Sequence, residues 1–314
     1  MLDWLLEKSL LGYTRVGYAV RHRPDWEYLP RLDGRTVVVT GATGGLGAAA
    51  AERLAGLGAR VILVGRDAVK LEAMLQRIGR LPGACKPEVE SADLSDMKSV
   101  AALGRRLVAR KPDILLNNAG VLLNRRTETE EGLESTFATN LLGHYILTEI
   151  LLPTLAGRPG SRVINVSSGG MYTQRIRLDD PETRQMPYQG PEVYARTKRA
   201  QVMLTRRWAK RFPALAVFSM HPGWADTTGV QNALPLFRKL TRPVLRSAAE
   251  GADTMVWLAA SDEPLGASGR FFHDRRVWPE HRMNSTRERP EETEQLDVLL
   301  EEYAVRLLGQ GWRG

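Results

Sequence analysis

Tyr194 and Lys198 stand four residues apart in 194-YARTK-198, so a helix carries both on one face. A phenol, whose unperturbed pKa is about 10, can give a proton to a developing alkoxide if that pKa is lowered. An ammonium on the same helix face would lower it by stabilising the tyrosinate. Ser167 and Ser168 close an apolar run, and one of them supplies a hydroxyl that could hold and polarise a substrate oxygen.

A second chemical feature lies near the start, in 40-TGATGGLG-47. Gly41, Thr43, Gly44, Gly45, Leu46 and Gly47 make a turn in which backbone N–H groups and a positive helix end can face a pyrophosphate. A Cβ there would block either the turn or the ligand's approach. At the end of the next apolar run, 60-RVILVG-65, a NAD site places an acid that accepts hydrogen bonds from the ribose. This chain has Gly65 there, followed by Arg66. A carboxylate repels a 2′-phosphate and a guanidinium binds it bidentately, so the sequence predicts NADP(H) in preference to NAD(H). Asp67 adjoins the arginine and would partly offset it. The glycine turn offers no second basic residue.

The elements that must position these residues are legible in the hydrophobic pattern. Residues 35–40 and 60–65 are short, β-branched and almost wholly apolar, as strands covered on both faces are. Further strand-like runs are 113–118, 161–167 and 214–220, with a weaker one at 86–90. Helical patterns occupy 45–57, 67–79, 95–110, 130–155, 191–211 and 246–260. The alternation predicts an α/β fold: one Rossmann-type domain, a doubly wound parallel sheet with helices on both faces. It spans residues 35–275. Residues 1–34 form an extension in which Trp4, Leu5, Leu6, Leu10 and Leu11 would line one side of a short amphipathic helix. Residues 276–314 form a tail with a helix over about 291–308, acidic in its first turns.

More motifs follow in order. Asn117-Asn118-Ala119-Gly120 ends the fourth strand, Asn140 sits within 136-TFATNLLGHYILT-148, and Ser167-Ser168-Gly169-Gly170 follows the fifth strand. Tyr194 and Lys198 open the long helix, and Pro222-Gly223-Trp224-Ala225-Asp226-Thr227 follows the sixth strand. The ordered set resembles the short-chain dehydrogenase/reductase family over roughly residues 35–275. Segments 219–230, 249–259 and 268–276 are similar to one branch of it, which narrows the family without identifying a substrate.

The resemblance implies hydride transfer between a nicotinamide and a carbonyl or alcohol, with Tyr194 as general acid/base. It implies Ser168 rather than Ser167 on the substrate oxygen and Lys198 also on the nicotinamide ribose. Asn140 would hold a water linking the lysine to bulk solvent. The implied cofactor set includes Asn117 supporting the nearby backbone, Asp93 at the adenine and Thr227 at the carboxamide, with Leu94, Ala119, Gly120, Pro222 and Gly223. Asp93 could instead cap the helix starting near Ser95, and Thr228 could take the place of Thr227.

Ser168 and Tyr194 are 26 residues apart, about twice the spacing in compact members. Residues 171–190 are therefore expected as an inserted loop beside the site. Met171, Tyr172, Met186, Tyr188 and Trp224 would wall it for a hydrophobic carbonyl or alcohol substrate. A loop packed on itself and touching no substrate fits the sequence equally.

Composition narrows the partners. The net charge of +8 and pI near 9.8 come from scattered basic residues, with no basic run interleaved with aromatics, so no nucleic-acid partner is expected. The single cysteine, Cys85, excludes an intrachain disulfide and fits a reducing compartment, and with no secretory signal the cytoplasm is the expected location. His144, His221, His273 and His281 lack ligand spacing, so no metal is expected. No Gly-x-Ser-x-Gly elbow supports a hydrolase. The competing class is a catalytically silent NADP(H)-binding regulator, against which the full Ser168, Tyr194, Lys198 and Asn140 set argues. Residues 1–22 could make peripheral membrane contact or pack on the body. The resemblance implies a homo-oligomer paired through the helices at 130–155 and 191–211, which the terminal extensions would reinforce or block.

Overall fold

The computed structural model describes residues 9–226, 239 and 241–314. Its sheet runs β3 (Glu88–Ser91), β2 (Arg60–Gly65), β1 (Thr36–Thr40), β4 (Ile114–Asn117), β5 (Arg162–Val166), β6 (Ala216–Met220), β7 (Phe271–His273) and β8 (Arg276–Val277). All neighbours are parallel except β7 and β8, which form an antiparallel edge. The strand order reverses between β1 and β4. In such sheets a ligand binds in the crevice beyond the carboxyl ends at that point.

Every residue of β1 and β5 is buried, because helices cover both faces. Val38, Leu115, Val163 and Val217 face one core with α4 (Met97–Arg110), α5 (Gly143–Ala156) and α6 (Gly190–Arg211). Val37, Val39, Leu116, Ile164 and Phe218 face the other with α2 (Gly45–Gly56), α3 (Ala68–Gly79) and α7 (Ala248–Ala260). Helix starts follow capping chemistry. Asp67 caps α3, Asp96 caps α4, and Ser247 with Glu250 forms a capping box on α7.

The pattern read as one helix over 130–155 is two pieces joined by a π turn. A short helical turn, Ser135–Phe137, leads into the π turn Ala138–Leu142 before α5 begins. Asn140 lies inside that π turn, the kind of irregularity that often marks a functional position.

Both extensions pack on the body. Trp4, Leu5 and Leu6 lie outside the described residues. Leu10 and Leu11 belong to a single 3-10 turn and are exposed, while the helix α1 (Arg15–Arg21) starts later. Tyr13 is buried against Met171, Tyr172, Trp224, Phe271 and Trp278. At the other end, α8 (Glu292–Leu308) buries Leu296, Leu300 and Ala304 against α4 and α6. The residues after it place Trp312 on Tyr145 and Arg313 beside buried Glu149, which also accepts from Trp208 and Arg211. Helices α5 and α6 are those through which pairing was expected. The chain's own tail covers part of that surface, occupying the polar and aromatic groups a partner would meet.

Candidate active site

The turn between β1 and α2 requires glycine at two positions. Gly41 has φ +66°, and a Cβ there would lie 2.9 Å from Cα of Ala119. A Cβ on Gly47 would lie 2.2 Å from the Gly41 carbonyl oxygen and 2.5 Å from Asn118 Nδ2. Asn118 Nδ2 donates to the carbonyls of Thr40 (2.8 Å) and Gly41 (3.3 Å). Thr40 Oγ1 accepts from the N–H groups of Asn118 (2.9 Å) and Ala119 (3.0 Å). The loops after β1 and β4 are thereby tied together at the switch point.

A cleft of about 800 Å³ opens there. Gly41, Thr43, Gly44, Gly45, Leu46 and Gly47 line it, with the N-terminus of α2 directed at it. Arg66, Asp93 and Leu94 lie on the β2 and β3 side, and Ala119, Gly120, Pro222 and Gly223 on the β4 to β6 side. Thr227 and its neighbour Thr228 lie outside the described residues. Asn117 is off the cleft: its buried Nδ2 donates to Thr148 Oγ1 and Asn165 Oδ1, both at 2.9 Å. Strand alternation turns Asn117 into the core, and the next residue, Asn118, braces the glycine turn.

The ribose end is more basic than the sequence reading allowed. Arg66 is exposed at the end of β2, 3.8 Å from Asp93. Asp67, whose Oδ1 accepts from the N–H groups of Val69 and Lys70, keeps its negative charge beside the arginine. Those backbone bonds hold its carboxyl below the usual range. Lys70, in the first turn of α3, also lines the cleft and is a second cation that reading missed. Its signal was available: it stands three residues after a helix-capping aspartate. Asp93 is not the cap of α4, a role held by Asp96. Asp93 Oδ1 accepts from the N–H and hydroxyl of Ser95 instead.

At the other end, the cleft meets Ser168, Tyr194 and Lys198. Ser167 also borders the cleft, but its hydroxyl donates to the Lys198 carbonyl at 2.8 Å, anchoring α6 to β5. Burial raises the pKa of the Tyr194 phenol, and a hydrogen bond from Ser168 opposes that rise. The lowering expected from Lys198 is not found in this arrangement. Lys198 Nζ lies 5.6 Å from the Tyr194 ring centre and donates to the Val166 carbonyl (2.8 Å) and Gln201 Oε1 (3.2 Å). Burial pushes this lysine down to about 7. Asn140 is buried behind them. Its Oδ1 accepts from Val121 N–H (2.8 Å), and its Nδ2 donates to the Val121 carbonyl (2.9 Å).

Of the five side chains expected to wall a substrate loop, only Trp224 lines the cleft. Met171 and Tyr172 are buried in the cluster around Tyr13, and Tyr172 donates to the Pro279 carbonyl. Tyr188 donates to Glu134 Oε1, and half-exposed Met186 lies beside Arg177. Residues 171–190 are held to the body by Glu182, which accepts from Glu134 N–H and the Tyr303 hydroxyl. The loop packs inward because its carboxylates have buried partners. Among the described residues no group of three or more metal-ligating side chains converges, and no helix is long and apolar enough to cross a membrane.

The donor set fits a nicotinamide dinucleotide: a glycine turn at a helix N-terminus between two cations at one end and a lysine at the other. Comparison with known proteins points the same way. Residues 35–235 match the family of short chain dehydrogenases. The sequence is 42% identical to dehydrogenase/reductase SDR family member 12 of Homo sapiens, with 95% of each chain covered. It is 35% identical to retinol dehydrogenase 14 of Homo sapiens, over 77% of this chain and 79% of that one. The crystal structure of an uncharacterized protein from Mycobacterium Paratuberculosis superposes with a TM-score of 0.72 at 30% identity, covering 89% of this chain and 96% of that chain.

Proposed function

The chain belongs to the short-chain dehydrogenase family, and from that premise we propose that it is an NADP(H)-dependent reductase of hydrophobic carbonyl compounds with Tyr194 as proton donor. Members of the family are NAD(P)-dependent oxidoreductases that interconvert C=O and CH–OH groups. The observation that carries the finer reading is that Ser168, Tyr194 and Lys198 together line one end of the cleft, with Lys198 one helical turn beyond Tyr194.

A dinucleotide held in the cleft would supply the hydride for the carbonyl carbon. Ser168 holds the substrate oxygen, and Tyr194 gives that oxygen its phenolic proton as negative charge develops, so the product is the alcohol. Lys198, whose Nζ donates to the Val166 carbonyl and Gln201 in this arrangement, would turn toward the phenol to stabilise the tyrosinate that remains. Arg66 and Lys70 favour a 2′-phosphate over free ribose hydroxyls, and no acid stands at Gly65 to repel it. Val121, Leu122, Trp224 and Leu245 give the substrate end apolar walls, and the likeness to a retinol dehydrogenase supports an apolar substrate.

The test is a fluorescence titration with NADPH and NADH, followed by NADPH oxidation over a panel of apolar aldehydes and ketones. Tight NADPH binding with turnover abolished in Tyr194→Phe is the expected result. NADPH binding with turnover unaffected by Tyr194→Phe would overturn the role of Tyr194. Binding with no turnover of any carbonyl would favour a silent regulator.

A further inference from the structure

Gln201 is three residues beyond Lys198 on α6 and is almost fully buried. Its two amide atoms have different partners. Oε1 accepts from Lys198 Nζ at 3.2 Å, and Nε2 donates to the main-chain carbonyl of Asn140 at 2.8 Å. That carbonyl lies in the π turn ahead of α5, at the position where the sequence reading expected a water linking the lysine to solvent. We infer that Gln201 is a positioning residue whose amide bridges the Lys198 ammonium to the Asn140 carbonyl and so fixes where the lysine's charge sits beside Tyr194. This inference rests on the oxidoreductase reading given above.

The surroundings make the bridge consequential. The titratable groups facing the lysine are Tyr194, on its own helix, and His144 on α5. Among the described residues, the β5 side offers the Val166 carbonyl. Burial, with the Lys198 charge, pushes His144 down to about 3, so it stays neutral. Among the described residues an amide oxygen is the one side-chain acceptor on the ammonium, and it orients the cation without neutralising it.

The bridge also continues beyond the lysine. His144 Nδ1 lies 3.2 Å from Gln201 Nε2, and His144 Nε2 lies 3.3 Å from Thr40 Oγ1. Thr40 Oγ1 is the acceptor for Asn118 and Ala119 N–H groups beside the glycine turn. One buried polar chain therefore joins the lysine to the brace of the cofactor turn. In such a network each member depends on the others for satisfied hydrogen bonds.

Two variants separate position from charge. Gln201→Leu removes the contacts to Lys198, the Asn140 carbonyl and His144 while keeping most of the bulk, and Gln201→Glu keeps the reach and adds a carboxylate at the lysine. Each is measured for NADPH affinity by fluorescence across a pH series and for kcat and KM with a reducible carbonyl. Gln201→Leu is expected to lower kcat on the order of tenfold with KM little changed, since a misplaced cation affects the transition state more than binding. Gln201→Glu is expected to move the pH midpoint of NADPH binding upward by about one unit, because a paired ammonium holds its proton longer.

Wild-type kcat and an unmoved midpoint in both variants would overturn the proposal. Should Gln201→Leu fail to fold, the isosteric Gln201→Glu decides alone through its midpoint. If wild-type protein binds NADPH yet reduces no carbonyl, the reductase reading fails, and the binding midpoint still decides the role of Gln201.

Discussion

Arg21 of α1 and Asp274, in the turn between β7 and β8, are 253 residues apart in sequence and 2.8 Å apart in space. Arg246 completes the cluster, bonding both Asp274 oxygens at 2.5 and 2.9 Å, and all three side chains are buried. Arg21 Nη1 also donates to the Gly12 carbonyl, so the N-terminal extension and the far edge of the sheet share one ionic node.

Asp274→Asn should therefore destabilise the whole chain. Asparagine tolerates the positive φ of 48° at this turn, so the substitution removes charge without straining the backbone. It leaves two buried guanidiniums uncompensated, a cost of about 3–5 kcal/mol, which a thermal melt would read as a fall in Tm on the order of 10 °C. The acid limb adds a second signature. Burial pushes the Asp274 carboxyl up, but His273, Arg246 and Arg21 more than offset this and hold it well below the usual range. A depressed folded-state pKa contributes stability at neutral pH that is lost as pH falls below about 4. Stability of the variant should fall less steeply there, and an unchanged acid limb would count against the node.

Arg66→Asp should reverse the preference for the phosphorylated cofactor. One charge-assisted contact is worth about 1.5–3 kcal/mol, so NADPH affinity should fall roughly 10- to 100-fold while NADH affinity changes little. Lys70→Ala should weaken NADPH in the same direction by less, because its amine already lies 3.5 Å from Asp67. Parallel fluorescence titrations measure both, and equal losses for NADPH and NADH would refute a 2′-phosphate site.

Ser168→Ala tests the proton donor through its pH dependence. The Ser168 hydrogen bond pulls the Tyr194 pKa down against the effect of burial, so its removal lets that pKa rise. Alcohol oxidation needs the tyrosinate, so its rate profile should move to higher pH. In the reducing direction kcat should drop on the order of 100-fold, since Ser168 also holds the substrate oxygen. A profile superimposable on wild type would remove Ser168 from the mechanism.

The fold was readable because its strands are buried on both faces, which leaves continuous apolar runs such as 60-RVILVG-65 where an exposed sheet would show alternation. The edge pair β7 and β8 escaped because three and two residues give no period to detect. The π turn at Asn140 was hidden for the opposite reason: apolar spacing continues through it, and backbone pairing leaves no trace in residue types. In the site, the order of motifs was legible, but Asn117 and Asn118 differ only in which way a strand residue points. The inward fold of residues 171–190 depends on Glu134 and Tyr303, which lie far from the loop in sequence.

Gly47→Ala and Gly44→Ala form a matched pair that tests whether the glycine turn is a shaped cradle or a permissive loop. At Gly47 a Cβ would sit 2.2 Å from the Gly41 carbonyl and 2.5 Å from Asn118 Nδ2, both part of the brace between the loops after β1 and β4. The turn must open to admit it, which moves the N–H groups at the start of α2 away from any pyrophosphate. At Gly44 nothing lies within 4 Å of the added Cβ, and the backbone is extended at φ −171°. Alanine there costs the protein little in its free form, although Gly44 still borders the cleft. Gly47→Ala should therefore lose NADPH binding by about 100-fold or more together with some thermal stability. Gly44→Ala should keep wild-type stability, and any loss of affinity it shows reports direct crowding of the ligand. Equal, small effects of the two substitutions on both measurements would mean that the turn does not shape the cofactor site.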